Sequence, residues 1–150
     1  MADDVLPLSP AEFDAIYARV PRLTVEIVVP DGAGAVFLTQ RAVAPCAGTW
    51  HLPGGTVRFA EPLIEAVRRI ARRELCIKVR AARSNGYIEY PSHYLNGLDS
   101  PVGIVFEVTD YAGDVQAGAD ATDGRWFRHV PDGMHADQDE YLVARGYLVR

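Results

Sequence analysis

One carboxylate, Glu74, falls on the apolar side of a predicted helix. The segment 62–75 opens with proline, contains no glycine and is rich in helix-forming residues, which predicts a helix. At about 100° per residue, Glu74 lies in the middle of the apolar stripe that Leu63 and Val67 define, whereas the other charged residues of the segment form the opposite face. A carboxylate in apolar surroundings is costly unless it is paired or binds a cation. Glu74 therefore turns outward near the helix end, pairs with an arginine from a strand, or faces a cavity and binds a cation.

Two glycines, Gly54 and Gly55, precede this helix and are predicted to form a sharp turn with Pro53. Residues without a side chain allow a ligand to approach the backbone closely, and their carbonyls can face inward. Carbonyl and carboxylate oxygens are hard ligands, which Mg²⁺ and Mn²⁺ accept. The pair predicts either an ordinary tight corner or, together with Glu74, a site for one of these cations.

The spacing of four residues is similar to a known motif. Gly55, Glu61, Arg69 and Glu74 resemble the frame of the Nudix box, G-x5-E-x7-R-E-U-x-E-E-x-G-U, and the preceding HLPGG resembles the usual lead-in of that family. The resemblance implies one domain over residues 1–150. It also implies a Nudix-type α/β/α sandwich with a mixed β-sheet, against which the box helix packs. Glu61 and Arg69 are then structural residues of the box.

The box departs from the family pattern at three positions. Ile70 replaces the glutamate of the Arg-Glu pair, Arg73 replaces the first of the two later glutamates, and Cys76 replaces the glycine. The branch of GDP-mannose mannosyl hydrolases resembles this chain in keeping the arginine and the last glutamate. This likeness implies a metal-dependent hydrolase of a nucleoside diphosphate derivative, a GDP-mannose-like nucleotide sugar, which releases the sugar and the nucleoside diphosphate.

The likeness to this branch also implies a site for one Mg²⁺ or Mn²⁺ ion. Its ligands are Gly54, Gly55 and Glu74, together with Asp120 from a late loop where the branch has glutamine. Water attacks the anomeric carbon in this branch, so the cation holds the diphosphate and need not activate the water.

Four residues are expected to contact the substrate. Arg41 matches a phosphate-contacting arginine of the branch, and Arg58 would present a second cation if its segment is extended. Glu26 lies where the branch has an acid, although its alternation with apolar residues in a strand favours an exposed face. Tyr90 flanks a long loop that also contains the candidate base His93.

The general base is not fixed by the sequence. The catalytic histidine of the branch aligns with Ala121, and two other residues are candidates to replace it: His93 in the long loop and Asp123 beside the late loop. Glu74 and Arg41 complete the set of expected catalytic residues. Two further readings stay open, a Nudix-fold module that binds nucleotides without turnover and a pyrophosphohydrolase that attacks at phosphorus.

Composition limits the partners. The 20 acidic and 15 basic residues give a net charge of −5, which argues against broad nucleic-acid binding. No apolar run approaches the roughly 18 residues of a membrane helix. Cys46 and Cys76 form no CxxC pair and no Cys/His cluster in the sequence, which predicts a reduced, cytoplasmic protein without a zinc site. A small-molecule nucleotide is the expected partner, and a homodimer is possible, as in the similar branch.

The remaining pattern predicts the elements that position these residues. Ser9 and Glu12 form a capping box for a helix over 10–19. Strands over 23–29 and 35–41 are predicted to pair as a hairpin across Asp31-Gly32. Further strands are expected at 77–82, 86–90, 102–108 and 125–129, loops at 91–101 and 113–123, and a last helix at 137–148.

Overall fold

The computed structural model describes residues 8–150, and within them it contains four helices and seven strands. In chain order these are α1 (Pro10–Tyr17), β1 (Arg22–Val28), β2 (Val36–Arg41), β3 (Trp50–His51), β4 (Gly54–Thr56), α2 (Leu63–Leu75), β5 (Lys78–Glu89), α3 (Pro91–Leu95), β6 (Pro101–Ala112), β7 (Ala121–Phe127) and α4 (Ala136–Ala144). The capping box of α1 is present, with Ser9 and Glu12 each bonded to the other's backbone N–H.

Two sheets form between the helices. The first is mixed, in the order β4-β1-β6-β5, with β1 and β6 parallel and the other pairs antiparallel. The second is antiparallel, in the order β3-β2-β7. One buried core includes Val67 and Ile70 of α2 with Ile27 of β1, and a second includes Leu142 of α4 with Leu38 of β2. Helices therefore cover both sides of the sheets, which confirms the predicted α/β/α sandwich with a mixed sheet.

The predicted hairpin of the first two strands is wrong. Near the turn, Val29 and Phe37 still share a backbone hydrogen bond of 3.2 Å, and Pro30 bridges Val36. Beyond that point β2 leaves for the second sheet. The reason is that both edges of β1 are already occupied, by β4 on one side and β6 on the other.

Gly54 and Gly55 lie in the short strand β4 and not in a sharp turn, because they pair antiparallel with β1. Other expectations change in length. The two segments 77–82 and 86–90 join into the single irregular strand β5, and the predicted loop 91–101 contains the short helix α3. β7 begins four residues before the predicted 125–129 strand, so the loop 113–123 is shorter than expected.

The box helix α2 begins and ends within one residue of its prediction, with Pro62 at its N-cap. Cys76 caps its C-terminus in the left-handed conformation, with φ 58°. This conformation favours glycine, the residue that the Nudix pattern has at this position. No helix in the described part of the chain is both long and apolar enough to cross a membrane.

Glu61 and Arg69 form a two-pronged ion pair that fixes the loop before α2. Arg69 Nε lies 2.8 Å and Nη2 lies 2.9 Å from the two Glu61 oxygens, and Nη2 also donates to the carbonyl of Thr56 at 3.0 Å. Both side chains are largely buried, and hydrogen bonding to Arg69 lowers the pKa of Glu61. The pair ties the end of β4 to the middle of α2, the two elements that carry Gly54 and Glu74.

We expect Glu61→Gln to lower the free energy of unfolding by roughly 1–3 kcal/mol, because it leaves the shielded Arg69 guanidinium without its charged partner. Denaturant unfolding measures the change. Glu65→Gln is the matched control, since Glu65 forms an exposed pair with Arg68 on the same helix and should cost less than about 1 kcal/mol. Equal losses in the two variants would show that the Glu61 pair does not have this role.

Candidate functional site

A cleft of about 580 Å³ opens over β1 and β4. Its walls come from α1, from the 41–49 loop, from α3 and the segment that follows it, and from the start of α4. A cavity of this size suits a ligand such as a nucleotide. Among the predicted site residues, six line it: Glu26, Arg41, Gly54, Gly55, Tyr90 and His93.

Glu26 lies on the floor of the cleft and is 6% exposed, so the expectation of an exposed face is wrong. The Thr24 hydroxyl donates to Glu26 Oε1 at 2.9 Å, and the Tyr90 hydroxyl also donates to the carboxylate. Two neighbouring strands make room for it. A Cβ on Gly103 would lie 2.8 Å from Oε1, and one on Gly54 would overlap the carboxylate. Only glycine on both sides accommodates a glutamate here.

Glu74 lies behind Gly54 and is largely buried, where the Gly54 N–H donates a hydrogen bond to its carboxylate. Burial raises the pKa of Glu74 to about 7, and the negative charge of Asp120 acts in the same direction, against the opposing effects of Gly54, Arg73 and Arg41. The Glu74 side chain thus turns inward, as the helical pattern allowed, without lining the cleft itself.

Glu26 and Glu74 both have raised pKa values beside β4. Burial raises the pKa of Glu26 to about 7, and the nearby Glu74 carboxylate adds to this increase. Hydrogen bonds from Thr24 and Tyr90 and the charge of Arg22 oppose it without cancelling it. A cation bound near these two carboxyl groups would stabilise their charged forms and so lower their pKa values.

The strand geometry distinguishes the two glycines. Backbone hydrogen bonds join Leu23 to Val57 and Ile27 to Pro53 between β1 and the segment around β4. Hydrogen-bonded pairs alternate along an antiparallel ladder, so Gly55, opposite Val25, is in a hydrogen-bonded pair. Gly54 takes the other kind of position and directs its N–H and carbonyl away from β1. Its N–H reaches Glu74, and its carbonyl lies on the same side.

The residues around Glu74 fit a hard divalent cation. A buried carboxylate and the Gly54 carbonyl supply oxygen donors, and Mg²⁺ commonly completes its coordination with water and substrate phosphate. Asp120 is near enough to raise the pKa of Glu74, but its own carboxylate pairs with Arg73 Nη2 at 2.9 Å. Asp120 would therefore have to leave Arg73 to join the site.

The two arginines that were expected to contact the substrate lie in different parts of the fold. Arg41, at the end of β2, lines the cleft, and its Nε donates to the Val43 carbonyl at 2.9 Å. Arg58 does not line the cleft, and its backbone N–H donates to Glu61 at 3.1 Å. Arg22, which the sequence did not single out, lines the cleft in its place.

The two candidate general bases, His93 and Asp123, also lie in different parts of the fold. His93 lines the cleft, and its Nδ1 lies 3.1 Å from the Asp99 carboxylate, which also pairs with Arg22 at 2.6 Å. Asp123 lies on β7 outside the cleft lining, where it accepts from its neighbour's backbone and pairs with Arg125 at 2.7 Å. The fold thus brings only His93 of the two to the cleft.

Two further histidines line the cleft without a distinguishing sequence signal. His51 follows Trp50 in β3, and its Nδ1 lies 2.6 Å from the Leu52 carbonyl; burial lowers its pKa to about 4, so its ring is neutral. His135 Nε2 lies 3.2 Å from His93 Nε2. His51 belongs to the HLPGG segment beside Gly54, whereas His135 is far from the other site residues in the sequence, so only the fold shows that His135 lines the cleft.

Comparison with known proteins agrees with this architecture. A profile of the NUDIX domain matches residues 20–141. The low-salt glycan biosynthesis protein Agl8 of Haloferax volcanii is 32% identical over 137 residues, which cover 89% of this chain and 87% of that protein.

Solved structures show the same arrangement. The MutT NUDIX hydrolase of Burkholderia pseudomallei superposes with a TM-score of 0.72 and 27% identity, covering 80% of this chain and 95% of the other. The NUDIX domain of Shewanella oneidensis NrtR, complexed with ADP ribose, shares the fold with a TM-score of 0.64 at 21% identity, covering 92% and 99% of the two chains.

The sandwich, the box helix and the glycine strand beside Glu74 define a Nudix-type domain. The matched region spans most of the sequence, and the chain therefore belongs to the Nudix family.

Glu26 should make stability depend on pH. Its pKa rises from 4.5 in the unfolded chain to about 7 in the fold, so its neutral form stabilises the protein below pH 4.5, and this contribution is lost as the pH rises through 7. Relative to Glu26→Gln, which does not titrate, the free energy of unfolding of the wild type should fall by up to roughly 3 kcal/mol over this window.

Denaturant unfolding at a series of pH values, without divalent cations, measures this difference. The exposed Glu140→Gln variant controls for the loss of one carboxylate and should follow the wild type. A constant difference between the wild type and Glu26→Gln across the window would contradict the assignment.

Proposed function

We propose that this Nudix protein is a metal-dependent hydrolase of a nucleoside diphosphate sugar, and that it releases the free sugar and the nucleoside diphosphate. The observation that carries the proposal is the largely buried carboxylate of Glu74, to which the Gly54 N–H donates a hydrogen bond. The position of the second box acid is Ile70, 3% exposed within the core. The position of the third is Arg73, paired with Asp120. The box thus provides donors for one cation.

One cation suits attack at carbon better than attack at phosphorus. When water attacks the anomeric carbon, the bond from that carbon to the diphosphate oxygen breaks, and negative charge grows on the leaving diphosphate. A bound Mg²⁺ or Mn²⁺ would supply positive charge there. Attack at phosphorus needs a water activated beside the phosphate as well, for which the altered box has lost the carboxylates.

The cleft lining supports an anionic, partly aromatic ligand. Arg22 and Arg41 line it and favour a diphosphate. Phe13 and Tyr17 of α1 line it and lie edge to face, with ring centroids 4.7 Å apart, and offer aromatic surface to a base. The named role of the Haloferax relative in glycan biosynthesis also supports a sugar substrate.

His93 is the proposed general base. Asp99 accepts from its Nδ1, which leaves Nε2 unprotonated; when His135, 3.2 Å away, releases this nitrogen, Nε2 takes the proton from the attacking water. Arg41 stabilises the diphosphate, and Glu26 and Tyr90, joined by a hydrogen bond on the floor, position the substrate. Asp123 pairs with Arg125, and Arg58 lies outside the cleft lining. We therefore assign neither residue a direct role in the reaction.

A nucleotide-binding module without turnover is the second candidate, and the Arg73–Asp120 pair favours it because it withholds a donor from the cation. Calorimetric binding of a nucleotide sugar with no product after long incubation would distinguish it. The homodimer and the cytoplasmic location remain predictions from the sequence.

Sugar release should require Mg²⁺ or Mn²⁺ and should fall by roughly a hundredfold or more in Glu74→Gln, because the amide is a poorer cation ligand. A panel of nucleotide sugars and nucleoside triphosphates identifies the substrate. Glu65→Gln on the exposed face of the same helix is the matched control and should retain activity. Full activity of Glu74→Gln with Mg²⁺ would refute the metal assignment.

Hydrolysis in ¹⁸O-labelled water distinguishes the two sites of attack. We expect the label in the released sugar, because the water oxygen becomes bonded to the anomeric carbon. Mass spectrometry of both products reads the outcome directly. Label in the phosphate product would instead establish a pyrophosphohydrolase.

A further inference from the structure

Three potential metal ligands converge in the wall of the cleft. Cys46 comes from the 41–49 loop, His93 from α3 and His135 from the N-cap of α4. One ligand atom of each lies within 4.8 Å of the others, and all three residues line the cleft. The sequence predicted no zinc site because these residues are far apart in the chain.

We propose that this cluster binds a divalent transition-metal cation such as Zn²⁺, at a site separate from the oxygen donors around Glu74. One thiolate and two imidazoles are ligands that Zn²⁺ prefers, whereas Mg²⁺ prefers oxygen. Tetrahedral coordination with zinc–nitrogen bonds of about 2.0–2.1 Å places two nitrogens about 3.3 Å apart. The Nε2 atoms of His93 and His135 are 3.2 Å apart.

The surroundings of His93 suit a metal ligand. Its Nδ1 lies 3.1 Å from Asp99, and a histidine that donates to a carboxylate through one nitrogen presents the other as a lone pair. Arg22 holds the same carboxylate at 2.6 Å. The ring of His93 is thus oriented from behind, with Nε2 directed at His135.

Binding requires two proton movements. In the present hydrogen-bond pattern the Asp137 N–H donates to His135 Nδ1 at 3.3 Å, so the ring proton of His135 lies on Nε2 and is directed at His93. A cation at His135 Nε2 moves this proton to Nδ1 and displaces the long hydrogen bond that caps α4. The Cys46 thiol releases its proton to become the thiolate ligand.

Three protein ligands leave a fourth position, as in catalytic zinc sites. The cation would occupy His93 Nε2, the atom assigned as the base, so Zn²⁺ should inhibit turnover. This consequence rests on the proposed function, whereas the binding itself does not.

Cobalt(II) titration of the purified protein, without substrate and with saturating Mg²⁺, tests the binding. We expect one Co²⁺ per chain, with a near-ultraviolet thiolate-to-cobalt absorption band that Zn²⁺ abolishes. Cys46→Ser should lose the band, and His135→Gln, whose amide oxygen can still cap α4, should bind at least tenfold more weakly. Cys76→Ser, at the other cysteine, is the matched control and should keep the band.

A cobalt spectrum without the thiolate band, or one that Cys46→Ser leaves unchanged, would overturn the proposal. If Cys46→Ser fails to fold by circular dichroism, the thiol reactivity of the wild type decides. Zn²⁺ should then protect Cys46, but not Cys76, from a thiol reagent, and equal rates with and without Zn²⁺ would refute the site.

The inhibitory role has a separate test. Zn²⁺ should slow Mg²⁺-supported hydrolysis by the wild type at the concentrations that displace Co²⁺, and should not slow it in Cys46→Ser. If neither protein hydrolyses any nucleotide sugar, the proposed function fails while the cobalt titration still decides the site. Equal inhibition of the wild type and Cys46→Ser by Zn²⁺ would refute the inhibitory role.

Discussion

Two carboxyl groups are buried on either side of one short strand, and this constraint organises the functional end of the molecule. Glu26 rises from β1 between Gly54 and Gly103, and Glu74 reaches Gly54 from α2. Buried carboxylates are costly unless hydrogen bonds or cations offset the lost hydration. The Glu26 carboxylate fits beside β4 only because Gly54 has no side chain to occupy the same space.

The rest of the box helix has a structural role. Arg69 donates hydrogen bonds to Glu61 and to the Thr56 carbonyl at the end of β4. Ile70 packs against Gly55, and a Cβ added at Gly55 would lie 3.0 Å from Ile70 Cδ1. A glutamate in place of Ile70 would direct a charge into this core. This chain therefore has apolar packing where the Nudix pattern has a glutamate, and Glu74 is the box carboxylate that contacts Gly54.

The opposite wall of the cleft depends on a chain of polar contacts. Asp99 links Arg22 to His93, and His93 meets His135 at the start of α4. Because Asp99 accepts from His93 Nδ1, this series of contacts leaves Nε2 as the nitrogen of His93 that is open to other groups. The same nitrogen serves the proposed hydrolysis and the proposed transition-metal site, which couples the two.

The sequence by itself determined the box helix, the capping box of α1, the place of Glu74 on the apolar face of its helix and the sandwich class, because these follow from local periodicity and from motifs of fixed spacing. It did not determine the pairing of β1, because the choice between a hairpin and two sheets depends on which strands occupy both its edges. Alternation also misplaced Glu26, since the small neighbours that bury it come from β4 and β6. The Cys46, His93 and His135 cluster was likewise decided by tertiary structure alone, because residues from three distant segments become neighbours only when the chain folds.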